Sequence, residues 1–316
     1  QALNQWDTSN ITDFYRMFYD AHDFNQSLNN WDVSSASNMS FMFGSTINFN
    51  QPLNNWDVSN VSNMSGMFGS TVNFNQPLNT WDVSNAYDMS SMFSGADSFN
   101  QPLNNWDVSN ASDMSRMFAT TYNFNHSLDN WDVSNVTDMQ FMFFNAESFD
   151  QSLGAWNVSN VSDMLGMLSF SDLSTTNYDS TLINWASQNL QNDVELHALN
   201  INYCSGATAR QSIINNFDWS IYDASVDPSC RAQNSVTKNN LIVYPNPAKN
   251  EISLSVEKTE IKTIQISNIY GSTIRSIKGI DKSKFSLNVQ DYARGMYFIK
   301  ITTSDGNVQL KNVILK

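Results

Sequence analysis

The chain repeats itself every 25 residues, seven times, without insertion or deletion. A tryptophan, a methionine and a phenylalanine recur at fixed positions and mark the register. The tryptophans are Trp6, Trp31, Trp56, Trp81, Trp106, Trp131 and Trp156. A fixed period of this length is typical of stacked repeats, because one repeat cannot bury its apolar face whereas a stack can. We therefore predict that the stack is the unit of stability.

The pattern within one repeat predicts a short strand followed by a short helix. In the third repeat, Trp56 and Val58 alternate with Asp57, which is the two-residue period of a β-strand. Asn60 then stands where a helix N-cap is expected. Apolar residues follow at a helical spacing of three to four, namely Val61, Met64, Met67 and Phe68.

The motif WDVSNVxxMxxMF, followed by FNQ, resembles the BspA-like surface-protein repeats of bacteria over residues 1–170. This resemblance implies a leucine-rich-repeat-like β/α solenoid on a secreted or surface-attached protein. It also implies adhesion or binding to a surface protein or glycan, and no catalysis.

The conserved columns are interpreted first as packing. The tryptophans could form a carbohydrate platform, but they share a face with Leu and Val, so a core position is favoured. Asparagines that recur before each glutamine predict a hydrogen-bonded amide ladder. They are Asn25, Asn50, Asn75, Asn100 and Asn125.

A column of aspartates is predicted to point away from the core. It includes Asp7, Asp32, Asp57, Asp82, Asp107 and Asp132. Like charges one strand spacing apart repel one another, so something should offset the repulsion. Local hydrogen bonds to the Ser-Asn turn are favoured, and Ca²⁺ bound by Asp32 to Asp132 or a basic partner surface are the alternatives. We predict no other cofactor.

Some positions vary from repeat to repeat and are candidates for a binding surface. One such column holds Arg16, Phe41, Gly66, Ser91, Arg116, Phe141 and Gly166, which share no chemistry. We single out Arg16, Phe41, Ser91, Arg116 and Phe141 as candidate binding residues. An idle solvent-exposed face is the alternative.

Charge divides the chain and limits its function. Residues 1–235 carry a net charge of −20 and residues 236–316 a net charge of +6, with no lysine before Lys238. The acidic repeats argue against nucleic-acid binding, and no apolar run is long enough for a transmembrane segment. No catalytic motif is evident, so we predict that the chain is not an enzyme. Gln1 aligns with Gln26, so we expect the chain to begin within a repeat.

Residues 171–232 are predicted to form an α/β cap on the last repeat. Its stretches YCSGATAR and WSIYD resemble the C-terminal cap of such surface proteins. Cys204 and Cys230, the chain's two cysteines, suit one disulfide in an oxidising compartment, with two free buried thiols as the alternative.

Residues 233–238 read as a linker, and residues 239–316 as seven short strands of an immunoglobulin-like all-β sandwich. This segment resembles the type A C-terminal sorting domain of type IX secretion. The residues that carry the resemblance are Pro245, Asn246, Pro247, Gly271, Gly295, Tyr297, Lys311 and Lys316. The resemblance implies export through the outer membrane of a Gram-negative, Bacteroidota-type cell. The implied partners are the secretion translocon and its outer-membrane β-barrel carrier.

The sequence thus predicts a secreted, surface-displayed binding or adhesion protein with a C-terminal sorting signal. The alternative is a structural surface-coat or filament subunit, which calcium could stabilise. An enzyme such as a hydrolase is the least favoured interpretation.

Overall fold

The computed structural model describes residues 3, 5–228, 230, 241–257, 259–268, 272–304, 306 and 308–316. The chain divides into two compact units, residues 1–228 and residues 229–316. The predicted linker, residues 233–238, lies outside the described residues.

The repeats are held together by backbone hydrogen bonds between neighbouring repeats. In the third repeat the amides of Met64, Gly66 and Phe68 each donate to a carbonyl 24 residues further along, at 2.7–2.9 Å. The amide of Met67, which lies between two of these donors, instead donates to the Met64 carbonyl and closes a tight turn within the repeat. Isolated parallel bridges run through all seven repeats, at Asp13, Asn38, Asn63, Asp88, Asp113, Asp138 and Asp163.

The predicted leucine-rich-repeat-like β/α solenoid is wrong. Described residues before Thr175 contain no helix and no strand longer than a single bridge, and the remaining regular structure is mostly β-sheet. Each repeat consists of turns instead. The backbone takes a left-handed φ twice per repeat, at Arg16 and Asp20 in the first and at Gly66 and Ser70 in the third. A right-handed helix cannot pass through such residues.

The tryptophan column is buried from Trp31 to Trp156, as predicted from its shared face with Leu and Val, whereas Trp6 in the first repeat is exposed. Trp81 is 4% exposed, and its ring stacks on Trp56 with centroids 6.3 Å apart. Its indole N–H donates to the carbonyl of Leu53 in the preceding repeat at 3.1 Å. The same bond recurs for Trp31, Trp56, Trp106, Trp131 and Trp156. Each indole therefore fills the core and also fixes the register of two repeats.

Two phenylalanine columns run beside the tryptophans. Phe68 stacks on Phe93 of the next repeat at 5.7 Å and on Phe74 of its own repeat at 4.1 Å. The methionines between them, such as Met64 and Met67, are fully buried. Flexible thioethers fill the gaps that the planar rings leave. The apolar columns therefore form one continuous core.

The predicted asparagine ladder is confirmed. The backbone amide of Asn75 donates to the side-chain oxygen of Asn50 at 3.0 Å, and Asn100 does the same to Asn75. The Gln76 side chain donates to the same Asn50 oxygen at 2.9 Å. The ladder satisfies amides that lie outside the backbone pairing.

The last repeat is covered by two helices and two strands. They are α1 (Thr175–Trp185), β1 (Glu195–Ala198), α2 (Ala207–Phe217) and β2 (Ser220–Asp223). The strands pair in parallel, and Leu196 of β1 bridges Met164 of the seventh repeat. Trp185 donates to the Leu153 carbonyl at 3.1 Å, which continues the indole column into α1.

A partly buried ion pair connects α2 with β2. Both Nε and an Nη of Arg210 donate to the Asp223 carboxylate, at 2.7 and 2.8 Å, and Tyr178 donates to it at 3.0 Å. Burial is the main cause that raises the pKa of Tyr178 well above its usual range.

Both cysteines of the chain are disulfide-bonded.

The described residues of the second unit form seven strands, the number that the alternation predicts. They are β3 (Ile242–Tyr244), β4 (Glu251–Ser255), β5 (Ile261–Asn268), β6 (Thr273–Lys282), β7 (Lys284–Asn288), β8 (Gly295–Thr303) and β9 (Val308–Leu315). Antiparallel pairing gives one sheet in the order β3-β4-β7 and another in the order β6-β5-β8-β9. Side chains from both sheets, including Leu254, Leu287, Ile264 and Ile299, form one core.

We expect Trp81→Ala to lower the free energy of unfolding by about 3–5 kcal/mol, because it leaves a cavity between stacked repeats. Trp81→Phe should lower the free energy of unfolding by less, because it keeps the larger part of the aromatic side chain although it loses the hydrogen bond to the Leu53 carbonyl. Denaturant unfolding measures both. Trp6→Ala is the control, since Trp6 is 49% exposed. Equal losses for Trp6→Ala and Trp81→Ala would contradict a buried column.

Candidate functional site

The varied column of each repeat occupies a left-handed backbone position. This arginine–phenylalanine column consists of Arg16, Phe41, Gly66, Ser91, Arg116, Phe141 and Gly166, with φ between 54° and 68°. A second left-handed column lies four residues later, at Asp20, Ser45, Ser70, Gly95, Thr120, Asn145 and Phe170. The varied residues therefore share a backbone conformation even though they share no side-chain chemistry.

Two guanidinium groups of the arginine–phenylalanine column lie over aromatic rings of the next repeat. The guanidinium carbon of Arg16 is 5.5 Å from the centre of Phe41, and that of Arg116 is 5.0 Å from the centre of Phe141. Arg16 also lies over Tyr19 at 4.7 Å. These distances are those of cation–π contacts.

A shallow groove of about 260 Å³ lies beside the second arginine. Its lining residues are Ser94, Arg116, Ala119, Thr120, Phe141 and Phe144. Phe144 meets Phe141 edge-on at 5.5 Å and meets Phe170, which is 40% exposed, at 5.7 Å. The groove combines aromatic faces with hydroxyl groups and one cation.

The structure brings together four of the five candidate binding residues as two pairs, Arg16 with Phe41 and Arg116 with Phe141. Ser91 shares their backbone conformation but has no ring or cation. Tyr19 and Phe144 extend the two clusters. Sequence reasoning placed Tyr19 in a varied stretch of the first repeat but did not name Phe144. The recurrence of Arg, Phe and Gly after 100 residues was the signal available for the two pairs.

The aspartates of the Asp32 to Asp132 column accept local hydrogen bonds, as the favoured interpretation predicts. Asp32 accepts from the amide and the hydroxyl of Ser34 at 3.0 and 2.6 Å, and Asp57 accepts likewise from Ser59. The amides of Ser84, Ser109 and Ser134 bond Asp82, Asp107 and Asp132. The hydrogen bond from the Ser84 hydroxyl, and to a smaller extent that from the Ser84 amide, lowers the pKa of Asp82. Across the described residues, no group of three His, Cys, Asp or Glu side chains could hold a metal ion.

A second polar column forms an acid–amide ladder, defined as Asp13, Asn38, Asn63, Asp88, Asp113, Asp138 and Asp163. Each side chain accepts the amide two residues later, as Asn63 does from Ser65 at 2.9 Å and Asp138 from Gln140 at 2.8 Å. Burial raises the pKa of Asp138, and the charges of Asp113 and Asp163 raise it further.

The predicted sorting residues of the second unit lie around the end of β9. The Asn246 side chain donates to the Asn312 carbonyl at 3.1 Å and accepts the Ile314 amide at 2.9 Å. It lies between Pro245 and Pro247, both exposed. Lys316 completes the contact, because its amide donates to the Ala248 carbonyl at 2.8 Å.

Strand β8 supplies the other side of this cluster. Gly295 has a φ of 145° and pairs with Leu315, and Tyr297 pairs with Val313. The Tyr297 hydroxyl donates to the Ala293 carbonyl at 2.9 Å. Lys311 is exposed on β9, which forms an edge of its sheet. Gly271 lies outside the described residues.

Comparisons with known proteins agree with this division of the chain. A family model described as "Mycoplasma protein of unknown function, DUF285" matches residues 1–105 and again residues 77–185. A model described as a secretion system C-terminal sorting domain matches residues 242–316, which confirms the sorting-domain prediction. The BspA-like assignment is not confirmed. Neither described helix is long and apolar enough to cross a bilayer.

The chain is also similar to an endo-acting ulvan lyase of Formosa agariphila, with 25% identity over 113 residues. That similarity covers 35% of this chain and 22% of the lyase.

We expect Asp138→Asn and Asp82→Asn to change stability in opposite directions at neutral pH. The folded-state pKa of Asp138 is raised, so its ionised form opposes folding and the stability it contributes is lost as pH rises through that pKa. Asp138→Asn should therefore stabilise the protein at pH 7. The pKa of Asp82 is lowered, so its contribution is present at pH 7 and is lost as pH falls through that pKa.

Both effects should be small, about a few tenths of a kcal/mol. The effect of Asp138→Asn should fade as pH falls below the ordinary pKa of aspartate, and that of Asp82→Asn as pH falls through the lowered folded-state pKa of Asp82. Asparagine suits both positions, since Asn63 and Asn157 make the corresponding turn bonds. Urea unfolding between pH 3 and 7 measures them. The same sign for both variants at pH 7 would contradict these assignments.

Proposed function

The chain belongs to the DUF285 family, and on that premise we propose that it is a surface-displayed, non-enzymatic binding or adhesion protein. The family description leaves its function open. The C-terminal sorting domain of type IX secretion marks the chain for export to the cell surface or secretion. The proposal therefore concerns what the repeats do once they are outside the cell.

The arginine–phenylalanine column carries the proposal. Arg16 and Arg116 are the only Arg or Lys side chains in residues 1–170, and both lie in this one column. Each is exposed over a half-buried phenylalanine. Exposed arginine and aromatic side chains that lie together are enriched at sites that bind partners. The repeats keep their core constant and vary this face, as expected of a scaffold that presents a binding surface.

The second unit is proposed to bind the type IX translocon and its outer-membrane β-barrel carrier. Strand β9 supports this role, because it lies at a sheet edge with Val308 and Leu310 at least 57% exposed. Edge strands offer unpaired backbone groups to a partner chain. Asn246 and Ala248 already bond the outer edge of β9 from Asn312 onward, so the proposed docking edge is the part of β9 before Asn312. The Asn246 bonds hold the end of this strand in place.

The similarity to the lyase suggests carbohydrate as one class of ligand, since the name of that protein states that it acts on ulvan. The match covers 22% of the lyase, so its activity is not transferred to this chain. We propose binding without turnover.

We expect removal of residues 239–316 to leave the protein in the periplasm when it is produced behind an inner-membrane export signal. The machinery would then lack its recognition element. Cell fractionation and surface labelling measure the outcome. The matched control removes one 25-residue repeat, residues 80–104, which keeps the register of the stack. Normal surface display without residues 239–316 would refute the proposed role of the second unit.

We expect the full chain to bind saturably to at least one extracellular polysaccharide or surface protein and to leave it chemically unchanged. Array binding followed by biolayer interferometry measures the affinity, and reducing-end and mass assays measure turnover. Cleavage of a polysaccharide would overturn the non-enzymatic proposal. An array with no saturable ligand would overturn the binding proposal.

A further inference from the structure

The arginine–phenylalanine column contains the same three residues twice. Arg16, Phe41 and Gly66 occupy three successive repeats, and Arg116, Phe141 and Gly166 occupy three more, 100 residues later. Ser91 separates the two triplets. The two triplets are therefore related by a translation of four repeats along the stack.

The two triplets share the same contacts among their own three residues, whereas Arg16 also lies over Tyr15 and Tyr19, and Ser115 and Ala119 stand at the corresponding positions beside Arg116. The arginine lies over the phenylalanine ring, at 5.5 Å in the first triplet and 5.0 Å in the second. The phenylalanine ring then lies against the glycine of the next repeat, where a Cβ atom would collide with ring carbons. Glycine is thus required for the ring to lie on the backbone of the following repeat. Each phenylalanine ring therefore lies between the guanidinium group of the preceding repeat and the glycine backbone of the next, and part of it stays exposed.

Packing alone does not account for these rings. Phe41 and Phe141 have φ values of 55° and 54°, a region that a bulky side chain rarely adopts. Glycine and serine occupy the same column at Gly66 and Ser91 without loss of the inter-repeat hydrogen bonds. Residues held in such strained conformations concentrate at functional sites.

The translation between the triplets indicates the shape of the ligand. Four repeat steps at a strand-like spacing separate equivalent points by about 20 Å. A globular partner seldom presents the same group twice in the same orientation. A linear polymer does so by its own repetition, and it could contact both triplets at once.

The charges and hydroxyl groups indicate its chemistry. Residues 1–235 carry a net charge of −20, and Asp138 lies close enough to Arg116 for the two charges to interact. This acidic surface repels polyanions. In the groove of the second triplet, the Arg116 guanidinium and the hydroxyls of Ser94 and Thr120 can instead hydrogen-bond the hydroxyls of a neutral sugar. The exposed part of an aromatic ring can contact the C–H groups of the same sugar.

We propose that the two triplets are a pair of related subsites for one linear, uncharged polysaccharide. The proposal rests on the proposed binding function and specifies its ligand. One sugar ring contacts the Arg16 guanidinium and the exposed part of the Phe41 ring, and a second contacts the corresponding groups of Arg116 and Phe141. Binding at the first subsite raises the effective concentration of the polymer at the second, so the two contributions multiply.

The test uses the full chain and a panel of xylan, mannan, starch and a β-1,3-glucan, with polygalacturonate and carrageenan as acidic polymers. Affinity electrophoresis and calorimetry measure binding. The variants are Phe41→Gly, Phe141→Gly and the double variant. Glycine suits the left-handed backbone, so thermal unfolding should show folded proteins. Ser91→Gly is the matched control, since it changes the same column between the triplets.

We expect the wild type and Ser91→Gly to bind an uncharged polymer equally. Each single variant should weaken binding about 10-fold, and the double variant at least about 100-fold, as expected for linked sites. Arg16→Ser and Arg116→Ser copy the natural residue at position 91. Each should likewise weaken binding about 10-fold alone, and the two together at least about 100-fold.

Three results would overturn the subsite proposal and leave the proposed function intact. They are undiminished binding by the double variant, binding of the acidic polymers alone, and binding of a surface protein alone. Self-association that the double variant abolishes, measured by analytical ultracentrifugation, would assign the face to a second copy of the chain and overturn it as well. Failure to bind any polysaccharide or surface protein would overturn both the subsites and the proposed function.

Discussion

The structure of the repeats depends on backbone hydrogen bonds between neighbouring repeats. In each repeat, every second amide of the segment that contains the two left-handed residues donates to the next repeat. Gly66 donates to Ser90 and Phe68 to Met92, while Met67 closes a turn within its own repeat. This alternation requires a left-handed φ at two fixed positions. An added residue would shift every donor away from its acceptor, which explains why seven repeats have the same length. The indole bonds, such as Trp81 to Leu53, depend on that register and reinforce it.

Sequence patterns predicted the columns but not the backbone. The burial of Trp81 and the ladder through Asn75 follow from residue type and period alone. The helix prediction failed because a spacing of three to four residues is shared by helices and by successive three-residue turns. Left-handed φ values distinguish the two structures. Gly66 hints at such a value, but Phe41 in the same column does not.

The same limit applies to the candidate site. Variation between repeats was sufficient to single out Arg16 and Phe41, but not to show that they touch. Their contact depends on the left-handed backbone, which directs one side chain onto the next repeat. Phe144 was missed because its packing on Phe141 depends on the same turn. The strands of the second unit were easier to locate, because two-residue alternation identifies a strand directly.

Local satisfaction of polar groups explains how one face can vary without loss of the fold. Asp57 finds its partners in Ser59 of the same repeat, and Asn63 finds its partner in Ser65. Each repeat thus contains the hydrogen-bond donors for its own aspartate and asparagine side chains, and the buried columns supply the stability. The arginine–phenylalanine column keeps its backbone hydrogen bonds whether it holds Gly, Ser, Arg or Phe, although bulky residues rarely adopt its left-handed φ and each phenylalanine is followed by glycine in the next repeat. Selection can therefore change those side chains while the stack remains intact, and a ligand would be recognised at such positions.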